Sequence, residues 1–115
     1  MTVSRIRMVA GFTLVEIMIV VSIIGLLTAI ALPNFRKSRE VAQYNVCFEN
    51  LKQLEAAKQI YGMEAGKKNG DAVSSPDLIG PALYIRKMPE CPSGGTYDLK
   101  TIGDNTTCTI AGHSL

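Results

Sequence analysis

Two groups of residues in this 115-residue chain have types that could do chemistry. The first is a lone carboxylate. Glu16 is the single charged side chain among the 21 residues from Phe12 to Leu32. A carboxylate inside so apolar a segment costs a few kcal/mol on insertion scales, so it calls for a partner and a task. The second group is three cysteines, Cys47, Cys91 and Cys108, with the one histidine, His113. Three thiols allow three single bridges, each leaving one thiol over. Cys91, Cys108 and His113 also have the chemistry to gather around zinc. Their spacing lacks the close Cys-x-x-Cys pairs of structural sites, so no metal is expected. A Cys/His nucleophilic pair lacks an orienting third group, and His113 reads as a tail residue. No catalytic residue and no cofactor is expected, and the chain does not read as an enzyme.

The remaining polar candidates have plainer readings. Asp71, Asp77, Asp98, Asp104 and Asn105 could offer oxygens to calcium, but that ion wants about six to eight ligands and no EF-hand spacing is present. They read as turn formers. Lys67-Lys68 and Arg86-Lys87 are two separated basic pairs with Tyr84 as the nearest aromatic, a pattern of solvated loops rather than of a phosphate-tracking surface.

The elements that must position these groups begin with a membrane-length segment. Phe12–Leu32 matches the roughly 20 apolar residues that cross a bilayer core. Before it, Met1–Gly11 carries Arg5 and Arg7 and no acid, and is too short for the n- and h-regions of a secretory signal. After it comes Pro33-Asn34-Phe35 rather than a small-x-small cleavage site. The apolar helix is therefore expected to stay, with any trimming at the Gly11–Phe12 junction.

Gly11-Phe12-Thr13-Leu14-Val15-Glu16-Ile17-Met18-Ile19-Val20-Val21, followed by Ile23-Ile24-Gly25-Leu26-Leu27 and Ala31-Leu32-Pro33, resembles the class III signal of type IV pilins and type II secretion pseudopilins. The resemblance implies cleavage after Gly11 by a prepilin peptidase and N-methylation of Phe12. It also implies an assembly role for Glu16, which would neutralise the new amine of a neighbouring subunit. Gly25 and Pro33 are the positions where the helix should bend or locally unwind. The implied partners are further copies in a helical filament, the peptidase, an inner-membrane platform protein and a cytoplasmic assembly ATPase. Nucleic acid is not among them. The implied location is the bacterial inner membrane, single-pass with a cytoplasmic N-terminus, and then a periplasmic or cell-surface filament. Charge alone points the other way, because Arg36, Lys37 and Arg39 follow the helix. Losing Arg5 and Arg7 with the leader takes the formal charge from +2 to zero.

The chain from Asn34 onward is 82 residues, little for an independent core. Help is visible in the helix-forming run from Phe35 to Ala65, broken only by Gly62. Cys47, Leu51, Leu54 and Tyr61, flanked by Tyr44 and Ala57, make one apolar stripe, opposite Glu49, Lys52 and Gln53. Together with the membrane segment this predicts one helix of about 50 residues. Beyond it lie a turn-rich exit at Gly66–Asp71 and a capped turn at Ser75–Gly80, with Ser75 at the N-cap. Ala82–Ile85 reads as a short strand or irregular element, Pro89–Gly95 as a loop. Thr96–Lys100 and Thr106–Ile110 form a hairpin around Gly103-Asp104-Asn105. The tail from Met88 to Tyr97, with Cys108 and Gly112-His113, resembles short pseudopilin-like proteins in which a compact β-turn unit closes over the helix.

The expected fold is α+β and pilin-like. Residues 1–11 are a leader, 12–33 the membrane or filament-core helix, 34–65 the amphipathic half of that helix, and 66–115 a small head. A head placed outside the cytoplasm is where disulfides persist. Cys91–Cys108 is the favoured pairing, closing an 18-residue segment worth about 3 kcal/mol by loop entropy. Cys47–Cys91 and Cys47–Cys108 remain the alternatives. The expected function is a structural subunit of a type IV pilus or pseudopilus. Two other readings stay open, a minor pilin displaying a DNA- or surface-binding head and a single-pass membrane protein that never polymerises.

Overall fold

The computed structural model describes residues 8–115. Arg5, Arg7 and most of the expected leader lie outside the described residues. Helix α1 spans Leu14–Glu64. Helix α2, Ser75–Leu78, is a single turn, and strands β1, Tyr97–Asp98, and β2, Thr107–Cys108, pair antiparallel. The architecture is α+β, a long N-terminal helix with a small hairpin. The chain divides into two compact units, one ending at Lys37 and the other running Ser38–Leu115.

In the first unit α1 stays α-helical through both Gly25 and Pro33. Of the bend or local unwinding expected there, the unwinding does not occur. Proline has no N–H to give the carbonyl one turn earlier, yet the loss of a single bond leaves the rest of the ladder intact. Ser22 and Thr28, the polar residues between Glu16 and Pro33, donate their hydroxyls to the carbonyls of Met18 and Ile24, both at 2.7 Å. Their polarity is thus spent inside the helix. Every residue of this unit that is described is exposed, including Ile17, Val21, Ile24, Leu26 and Ile30.

The second unit is built on the outer half of α1. Cys47, Leu51, Leu54 and Ala57 are buried, as the stripe predicts, and Lys58 and Gly62 join them on the same face. Gly62 is small for a reason, since a Cβ there would stand 3.3 Å from Cδ1 of Ile102. Leu54, Ala57, Leu78, Ile85 and Leu99 form one cluster; Cys47, Leu51 and Cys91 form a second, covered by Tyr97, Cys108 and Ile110.

Short polar devices hold the covering segment in place. Asp77 accepts hydrogen bonds from the Ser74 N–H at 2.9 Å and the Ser74 hydroxyl at 2.7 Å. The N-cap is therefore Ser74, one residue before the expected Ser75. Ala82–Ile85 is not a strand of its own. Ile85 meets Ile79 in an isolated parallel bridge, its N–H donating to Leu78 O at 3.1 Å while its carbonyl accepts from Gly80 at 2.9 Å. The hairpin register sets Tyr97 against Cys108 and Asp98 against Thr107.

Candidate functional site

The N-terminal carboxylate sits in a local device that charge reasoning passes over. Thr13 precedes the first residue of α1, and its hydroxyl accepts the Glu16 N–H at 3.2 Å. The Glu16 carboxylate in turn accepts the Thr13 N–H at 2.7 Å and the Thr13 hydroxyl at 2.9 Å. This Thr-x-x-Glu arrangement is a capping box, which satisfies orphan donors at a helix start reciprocally. Glu16 therefore has a task within its own chain and lies on the turn next to Phe12. Gly11 and Phe12 are exposed, directly ahead of the helix.

The second group converges where the sequence placed no cluster. Cys47 comes from α1, Cys91 from the loop before the hairpin, Cys108 from β2 and His113 from the C-terminal tail. Their ligand atoms, three Sγ and one ring nitrogen, all lie within 4.8 Å of one another. Cys91 Sγ is 3.7 Å from His113 Nδ1. Cys47 and Cys91 are buried, Cys108 and His113 half-buried, and none of the three sulfurs is bridged to another. The favoured Cys91–Cys108 pair and both alternatives are thus brought together and left open.

Close approach here depends on glycine. A Cβ on Gly95 would sit 2.8 Å from Cys108 Sγ and 2.6 Å from Cγ1 of Ile110. The Tyr44 ring meets the His113 ring edge-on at 5.5 Å between centroids, which fixes the imidazole plane. The His113 N–H closes a turn onto Ile110 O at 3.1 Å.

The thiols differ electrostatically. Burial pushes Cys47 up to about 12. For Cys91 burial also acts upward, but the backbone N–H groups of Ser93 and Gly95, with His113 and Cys47, outweigh it and bring the thiol down to about 6. Dipoles aimed at a sulfur favour its thiolate. Burial likewise holds the Tyr97 phenol well above its usual range, and Asn50 Nδ2 donates to that hydroxyl at 3.1 Å.

A third arrangement was not anticipated. Lys58, 1% exposed, donates from Nζ to Leu99 O at 2.9 Å, to Asp104 O, and to Thr106 Oγ1 at 3.4 Å. Its ion pair with Glu55 is 3.0 Å. Glu55 also accepts from the Thr106 N–H at 3.1 Å and hydroxyl at 3.0 Å. Burial acts upward on the Glu55 carboxyl, and Lys58 and Thr106 more than offset it, so the group is held below its usual range. The loop weighed above for calcium is thus organised around an ammonium. Asp98 pairs with Lys100 at 3.2 Å and Asp104 accepts from the Thr101 hydroxyl at 2.6 Å. Lys67, Lys68, Arg86 and Lys87 are all exposed.

Comparison with known proteins bears on most of the chain. The prokaryotic N-terminal methylation motif matches residues 6–32. The type II secretion system core protein G of Klebsiella pneumoniae is 32% identical over 107 aligned residues, covering 83% of this chain and 76% of that protein. The chain belongs to the type IV pilin and pseudopilin family. Core protein G of Pseudomonas aeruginosa is 31% identical over 79% of this chain and 72% of its own length. The type IV wide pilus major component PilA4 of Thermus thermophilus is 28% identical over 94% of this chain and 76% of its own. No solved structure matches the chain. Membership makes the chain a structural pilus- or pseudopilus-type subunit, anchored by its apolar helix.

Proposed function

We propose that the chain is a filament subunit that is cut between Gly11 and Phe12, N-methylated at Phe12 and drawn from the inner membrane into a helical pilus or pseudopilus. The observation that carries this reading is the first unit: an unbroken apolar helix, exposed on all sides, with one carboxylate beside the cleavage junction. Lipid tails satisfy such a surface before assembly, and like helices satisfy it afterwards. Gly25, Ala29 and Ala31 give neighbouring helices close approach. Cleavage puts an α-ammonium on Phe12, four residues from Glu16, and the carboxylate then sets axial register by meeting the amine of the next subunit. The N-terminus is cytoplasmic and the head outside. The partners of this processing and assembly are a prepilin peptidase, an inner-membrane platform protein and a cytoplasmic assembly ATPase.

Glu16→Gln tests the register role while keeping a side chain able to cap the helix. The variant should be processed normally yet yield few or no sheared filaments, because removing one partner of a buried ion pair costs about 3–5 kcal/mol. Filaments at the level of the unaltered chain would contradict the role given to Glu16.

A further inference from the structure

Four soft or borderline ligands from four separate segments converge at one point of the head, and nothing in filament assembly calls for them. An ideal tetrahedral zinc site, with Zn–S near 2.3 Å and Zn–N near 2.0–2.1 Å, has S···S edges of about 3.8 Å and S···N edges of about 3.6 Å. Here Cys91 Sγ and His113 Nδ1 stand 3.7 Å apart, and no two of the four ligand atoms are farther than 4.8 Å apart. We propose that Cys47, Cys91, Cys108 and His113 bind one zinc ion in a closed, structural three-sulfur, one-nitrogen site.

The site is built as well as sized. A disulfide would use two of the three thiols and leave the third buried with an imidazole against it. A metal uses all four groups and leaves none over. Three thiolates and an imidazole in tetrahedral array select zinc over the hard cations, which take oxygen. Groups around the ligands hold them: the Tyr97 hydroxyl faces Cys47 and is fixed by Asn50, the N–H groups of Ser93 and Gly95 face Cys91, and Tyr44 packs on His113. Such supporting contacts orient ligands and tune their basicity.

The site also answers a need of the fold. Besides Cys47 and Cys91, six apolar side chains are buried in a unit of 78 residues, and the hairpin strands are two residues each. Small domains with thin cores use metals or disulfides as staples. One zinc would tie α1, the Cys91 loop, β2 and the tail together, whereas one bridge ties two of these.

The test uses the full-length chain in detergent, purified under reducing conditions and titrated with cobalt(II) and then zinc(II). One equivalent of cobalt should give the intense visible bands of a tetrahedral ion and a near-ultraviolet sulfur-to-metal band. One equivalent of zinc should abolish both, and calcium or magnesium should not. Zinc should shield all three thiols from alkylation, and a chelator should free them. Chain taken from its native membrane or filament fraction should carry one zinc, and three thiols should titrate once a chelator removes it. His113→Asn, a change in the tail rather than the core, should weaken zinc by more than about 100-fold, beyond the 10–100-fold cost of losing a mere supporting contact. Absence of a tetrahedral cobalt spectrum, alkylation indifferent to zinc, or a Cys91–Cys108 bridge in native material would each overturn the site. The wild-type spectrum and thiol count decide the matter even if a cysteine variant fails to fold.

Discussion

The two units of this chain solve opposite problems. Residues 8–37 have no buried side chain, yet from Thr13 to Leu32 their few polar groups are engaged locally, by the Thr13–Glu16 box and by Ser22 and Thr28 bonding back one turn. What remains is apolar surface that only lipid or other helices can satisfy. Residues 38–115 satisfy themselves, but with a thin apolar core and much polar pinning. Among the described residues no buried side-chain nitrogen or oxygen lacks a partner. The first unit is specified by what will surround it, the second by where its own charges and thiols meet. A subunit that must leave a bilayer and join a filament profits from that division, since its head need not change when its helix changes neighbours.

The contrast can be broken first at Lys58. Lys58→Met should destabilise the head by about 3–5 kcal/mol, because it removes one buried ammonium from the half-buried Glu55 carboxylate, from the carbonyls of Leu99 and Asp104 and from the Thr106 hydroxyl at once. Thermal or denaturant unfolding followed by circular dichroism reads this, and membrane insertion should be unaffected. Next, leucines from the two units should behave unlike each other. Leu54→Ala, at a fully buried position, should cost about 2–5 kcal/mol in the same unfolding measurement. Leu26→Ala, at 66% exposure, should leave the head transition where it was. Equal effects of the two would dissolve the distinction.

Smaller changes sharpen the picture of the head. Gly95→Ala forces a methyl group onto Cys108 and Ile110, and about 1–3 kcal/mol of destabilisation should follow. Limited proteolysis should then find the Cys91 loop and the tail opened first. The smallest effect is that of acid. Glu55 is held below its unfolded value, so its contribution is complete above the unfolded carboxyl range, near pH 4.3, and is lost as pH falls through the lower folded value. The head transition should decline across that window, and Glu55→Gln should flatten the decline.

Much of this was legible in the residues, for reasons that differ by element. The helix and its buried stripe could be read because Cys47, Leu51 and Leu54 recur at helical spacing and no proline follows Pro33 until the helix has ended. The hairpin could be read from its β-branched runs around a Gly-Asp-Asn turn. Lys58 could not, although it stands four residues after Leu54 on the same face. A lysine on an apolar face gives no signal of burial when the acceptors that take its ammonium lie more than 40 residues away. The thiol cluster was hidden likewise. Spacing rules for zinc recognise ligands that share a tight turn, and here each comes from a different segment. The Thr13-x-x-Glu16 box was open to view in the sequence, but the carboxylate drew attention for its charge alone.

On the function proposed above, the apolar unit exists to be trimmed and then bundled. The most direct measurement is the intact mass and N-terminal residue of the chain recovered from its native membrane or sheared surface fraction. A chain beginning at N-methylated Phe12 is the result predicted. A chain still beginning at Met1, in cells whose prepilin peptidase is active, would contradict the account and leave a membrane-anchored protein that does not polymerise.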